Sequence, residues 1–96
     1  MENKKTNLVD SEKIEKYRKL SEEALNIAKK NIAPGKEKEA KEIIEMVECY
    51  VSDSSHFQKQ GNFVNAFGCL NYAHGWLDCG ARLKVFIVKD THLFAA

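Results

Sequence analysis

From Phe63 to Val88 the chain carries only three charged residues, Asp78, Arg82 and Lys84, and no proline. At about 100° per residue, its apolar positions fall on two stripes. One is Phe63, Ala66, Phe67, Leu70, Ala73, Leu77, Ala81 and Val85. The other, roughly 140° round the same helix, is Cys69, Tyr72, Trp76, Leu83 and Ile87. A helix that is apolar on two sides has two neighbours. In a chain of 96 residues those neighbours are two more helices, or one helix and a second molecule. The simplest assignment gives one stripe to each of the two preceding helices. Glycine inside a helix costs about 1 kcal/mol relative to alanine. Gly68, Gly75 and Gly80 therefore ask for a packing reason, and Gly68 and Gly75 share a face seven residues apart.

The preceding chain supplies two helices. Asp10 suits an N-cap, with Val9 and Ile14 in the positions of a hydrophobic staple. Ile14, Tyr17, Leu20, Ser21, Ala24, Ile27 and Ala28 then mark an amphipathic helix over residues 10–31. Pro34-Gly35 breaks it. A second helix over residues 36–60 carries Ala40, Ile43, Ile44, Val47, Tyr50, Val51, Ser54 and Phe57 on its apolar face. Gly61 suits the left-handed position after that helix, and Asn62 caps the next, which runs over residues 63–88. So short a corner predicts helices lying side by side and antiparallel. The expected fold is all-α, a single antiparallel three-helix bundle over residues 1–96, with residues 1–9 and 89–96 as tails. The tail after Lys89 folds back over the bundle end through Leu93 and Phe94, or hangs loose.

Tyr50, Asp53, Phe57, Gly61-Asn62, Ala66, Tyr72-Ala73, Gly75-Trp76-Leu77-Asp78 and Gly80 together resemble an archaeal family catalogued only as domain of unknown function 357. The corner is commonly Gly-Asp in that family and is Gly-Asn here; both pairs cap helices. The likeness spans most of the second and third helices, while the first matches in charge and length. It implies an all-helical three-helix bundle and brings no activity, cofactor or catalytic residue.

Charge narrows the function classes. Net charge is +1, and residues 1–45 hold 11 Lys/Arg and 10 Asp/Glu. Basic doublets stand among acids, so the electrostatic footprint of a nucleic-acid binder is missing. The least charged run, 60–77, is too interrupted by Asn, Gln and His to span a membrane. An odd number of cysteines, Cys49, Cys69 and Cys79, behind a charged N-terminus points to free thiols in the cytoplasm.

No nucleophile arrangement, paired carboxylates or phosphate loop is present, and the chain reads as a non-enzyme without cofactor. Two constellations remain. His74, Asp78 and Arg82 follow at four-residue steps, with Asp53 on the second helix. They form either a polar site, Asp78 orienting His74 as base or ligand, or a structural ion pair of Asp78 with Arg82 beside a hydrogen-bonded His74. Asp53 could also join Tyr72 and Asn65 in a buried network that fixes helix register. Zinc binding by His56, Cys69, His74 and Cys79 fails on spacing, since Cys69 and Cys79 point to different sides of one helix. The second constellation is Tyr72, Trp76 and Leu83, which is either core against the first helix or a surface for a protein partner or a second copy.

Overall fold

In the computed structural model, which describes residues 9–89 and 93–94, three helices account for the fold: α1 Ser11–Lys29, α2 Glu37–Lys59 and α3 Phe63–Arg82. The expected all-α three-helix bundle is the observed one. Among the described residues there is no strand, only an isolated bridge between Ile32 and Phe86. The expected fraying of residues 1–9 falls, apart from Val9, outside the described residues.

Each boundary has a local cause. Asp10 Oδ1 accepts a hydrogen bond from the Lys13 amide at 2.9 Å, satisfying one of the donors left open at the start of α1. Val9 and Ile14 pack in one apolar cluster, as a staple requires. α2 ends in a Schellman turn: the Asn62 amide reaches the Phe57 carbonyl at 2.9 Å, and Gly61 takes the left-handed conformation at φ 78°. The Asn62 side chain then accepts from the Asn65 amide at 3.2 Å and starts α3.

α3 stops six residues earlier than its apolar pattern predicts, at Arg82 rather than Val88. The same turn ends it. Val85 donates to the Gly80 carbonyl at 2.8 Å and Lys84 to Ala81 at 3.1 Å, with Lys84 itself left-handed at φ 64°. The chain beyond is extended. Ala33 donates to Val85 at 2.9 Å and Ile87 to Asn31 at 2.8 Å, clasping this segment to the α1–α2 loop. Val85 and Ile87 thus belong to no helix face: Val85 is buried from the extended segment and Ile87 is half exposed.

Contacts fix the relative course of the helices. Tyr50 stacks on Tyr72, while Ile43, earlier in α2, comes up to Gly80, later in α3. α2 and α3 thus meet in reverse order. α1 meets α3 in the same order, Tyr17 against Phe67 and Ser21 beside His74. The core of α3 is Ala66, Leu70, Ala73, Leu77 and Ala81, with Ala24, Ala28, Ala40 and Val47 from the other helices. Alanines at so many of these positions let backbones approach closely, and Phe86, Leu93 and Phe94 pack into the same core. The tail therefore folds back at Leu93 and Phe94, both buried. No helix is long and apolar enough to cross a membrane, among the described residues.

Candidate functional site

Tyr72, Trp76 and Leu83, in the α3 stripe assigned to α1 by the simplest reading, face solvent instead. Tyr72 and Leu83 are 65% exposed and Trp76 37%. The reason lies in α1, which packs on the opposite flank of α3 through Tyr17, Ser21 and the buried core. Tyr72 is fixed against Tyr50 with ring centroids 5.5 Å apart, nearly parallel. Tyr72, Trp76, Asn71 and Cys79 surround a shallow, largely apolar groove of about 330 Å³ floored by Gly75. A methyl group built on Gly68 or Gly75 would meet no atom within 4 Å. Packing inside the molecule therefore gives no reason for either glycine. Gly80 has one: its missing side chain makes room for Phe86.

On the α1 flank, Tyr17, Leu20, Asn71, His74 and Asp78 line a cleft of about 380 Å³. His74 is engaged at both ring nitrogens. Nε2 lies 2.8 Å from the Leu93 carbonyl, which can only accept, so Nε2 carries the hydrogen. Nδ1 is then free to accept from the buried Ser21 hydroxyl at 3.4 Å. The histidine thereby ties the tail and α1 to α3. Asp78 lies in the same cleft, half buried, and Arg82 is exposed one turn beyond it.

The expected network of Asp53, Tyr72 and Asn65 does not form: Tyr72 goes to Tyr50, and Asp53 and Asn65 are exposed. Asp53 stands instead near Cys69. Burial pushes the Cys69 thiol above its ordinary range, and the Asp53 charge pushes it further. Cys49, Cys69 and Cys79 are all free. No group of three or more His, Cys, Asp or Glu could hold a metal, among the described residues.

The buried polar network is elsewhere, and sequence reasoning missed it. Arg18 donates to Glu15 and to Gln58, each at 2.7 Å, and to the Ser54 hydroxyl at 3.0 Å. Ser54 in turn donates to the Val51 carbonyl at 2.6 Å. The available signal is the run Ile14, Arg18, Ser21, Leu25, Ala28, spaced at four, three, four and three; all five are buried.

The family model described as "Protein of unknown function (DUF357)" matches residues 16–86. This adds most of α1 to the likeness read from α2 and α3. The match ends at Phe86, the residue that closes against Gly80. No curated protein matches the chain, and no solved structure matches it. The match covers well over half of the sequence, so the chain belongs to the family of proteins of unknown function DUF357.

Proposed function

We propose that this chain is a non-enzymatic interaction module, binding another protein or itself through the outer face of α3. One observation carries the reading: Tyr72 and Trp76 stand exposed around an apolar groove, with Leu83 exposed beyond it, on a helix whose other flanks are already covered. Tyrosine and tryptophan dominate the energetics of interfaces because they bury large area with few rotors. The polar groups that could have served chemistry have structural partners, His74 above all. Free thiols fit a cytoplasmic setting, and the near-zero net charge fits a protein partner better than nucleic acid.

The test compares the full chain with a Trp76→Gln/Leu83→Gln variant of unchanged helicity. Light scattering should show assembly for the native chain that the variant loses, or a partner retained from native extract should be lost with it. A strict monomer whose captured proteins are the same for both chains overturns the reading.

The cleft between α1 and α3 supports a second reading, a small-ligand or enzymatic site at His74 and Asp78. It requires that Asp78→Asn remove a bound ligand or an activity while leaving stability unchanged.

A further inference from the structure

The outer face of α3 has a spacing as well as a composition. Gly68, Tyr72, Gly75 and Cys79 follow at four, three and four residues, with Leu83 four further on. The first four keep the step of a coiled-coil seam, and none of the four is charged; Arg82 and Leu83 lie at its end. Neither Gly68 nor Gly75 is needed by the molecule's own packing. A bare backbone on an exposed seam suits the close approach of another helix.

Charges flank the seam unequally. At the turn holding Phe67, the Lys13 ammonium of α1 sits 5.2 Å over the Phe67 ring. On the other flank, Asp53 lies one turn along α2 from Tyr50, which stacks on Tyr72. Residues three apart share a helix face, so Asp53 stands beside the same part of α3, exposed, while Glu48 further back on α2 is paired with Lys29 at 2.8 Å. At this level of the helix Lys13 thus stands on one flank and Asp53 on the other.

Two copies of one helix can face each other about a two-fold axis in two ways. An axis across the helices reverses one against the other and keeps each flank on its own kind, so that Asp53 does not meet Lys13. An axis along the helices keeps them in the same direction and exchanges the flanks. Gly68, Tyr72, Gly75 and Cys79 then each meet their own copy with no charge opposed, and Asp53 of each copy comes to the flank that holds Lys13 of the other.

We propose that the α3 face receives a second copy of this chain, its α3 running in the same direction, with Asp53 of each copy paired with Lys13 of the other. The proposal rests on the reading of this face as an interaction surface and names its occupant and register. One 20-residue helix spans about 30 Å, and with its flanks it offers an area near or below the roughly 800 Å² per partner of standard interfaces.

Two measurements on the full chain test this. In a Cys49→Ser/Cys69→Ser variant the remaining Cys79 meets its own copy across the axis, so a short bismaleimide should give a covalent dimer. In the reversed arrangement Cys79 faces the Gly68 end of the seam and no such product forms. By sedimentation, Asp53→Lys and Lys13→Glu should each weaken dimerisation by about tenfold, and the two together should restore it to within about threefold. A dimer without the Cys79 product, or single reversals without effect, overturns the register. A monomer at every concentration overturns self-pairing, while the interaction reading survives if a partner is still lost with Trp76→Gln/Leu83→Gln.

Discussion

Phe86 lies so close over Gly80 that a β-carbon there would sit 2.5 and 2.7 Å from two carbons of its ring and 3.2 Å from Ile43 Cδ1. The ring has nowhere to go. It is 1% exposed, and its backbone is held by the bridge to Ile32. Gly80→Ala gains about 1 kcal/mol of helix propensity. It loses about 2–3 kcal/mol to overpacking in a fixed site. Urea denaturation should show a net loss of about 1–2 kcal/mol. Gly68→Ala, on open surface, should instead gain up to about 1 kcal/mol when measured at concentrations where the chain is monomeric.

Arg18 is the polar counterpart of that contact. Its guanidinium joins α1 to α2 through Ser54 and Gln58, while its Nε has no partner among the described residues. Arg18→Ala removes hydrogen bonds from a charged donor and leaves Ser54 and Gln58 to be satisfied anew, an expected loss of about 2–4 kcal/mol. Arg18→Lys keeps the charge but cannot span Gln58 and Ser54 in a planar fork, and should recover less than half of it. Thermal unfolding of the two variants beside Ser54→Ala checks the ranking, with Ser54→Ala the mildest at about 1 kcal/mol.

These two residues also mark how far the sequence can be read. Helix number, order, the Gly61-Asn62 corner and the α2 core face follow from periodicity and caps, because those are local effects. The buried face of α1 keeps the expected Ile14, Ser21, Ala24 and Ala28 but is rotated slightly at its edge. Weighting apolar residues favours Tyr17, Leu20 and Ile27, all only partly buried, over Arg18 and Leu25, which are buried. A long cation at a core position is legible only when its partners on another helix are known. The end of α3 escapes the pattern for a related reason. Val85 and Phe86 continue an apolar run, and nothing local reveals that Lys84 turns left-handed so that they can meet the α1–α2 loop. The candidate site is legible as a set of residues, Tyr72, Trp76 and Leu83, but its inward or outward sense depends on where α1 docks. That His74 and Asp78 line one side of α3 is visible in the spacing; the Leu93 carbonyl that occupies His74 is not.

Cys69 links that surface to pH. Its thiol is pushed up by burial and then by Asp53, so the folded state holds the proton more tightly than the unfolded chain. The stability this contributes is fully present below the ordinary thiol value and is lost as pH rises through the raised one. Iodoacetamide should therefore label the exposed Cys49 and Cys79 first. Cys69 should follow with a rate profile displaced to higher pH. Asp53→Asn should move that profile part of the way back, and Cys69→Ala should flatten the alkaline fall in stability.

Lys84 is the one described residue other than glycine with positive φ, at 64°. It occupies the position that Gly61 holds at the end of α2, and it carries the whole reversal from α3 into the clasped segment. An L side chain in that conformation costs about 1–2 kcal/mol. Glycine there removes the cost but adds freedom to the unfolded chain, which offsets about 0.5–1 kcal/mol. The side chain itself is exposed, and no hydrogen bond of the turn uses it: the donors are the amides of Lys84 and Val85. Lys84→Gly should thus raise the urea midpoint by the equivalent of about 0.5–1 kcal/mol with an unchanged slope. Lys84→Val, β-branched and unable to adopt the turn without strain, should lower stability and loosen the amides of Val85 and Ile87 in hydrogen exchange. A Lys84→Val variant as stable as the native chain, with those amides still protected, would mean that the clasp to Asn31 and Ala33 holds the turn without help from its dihedral preference.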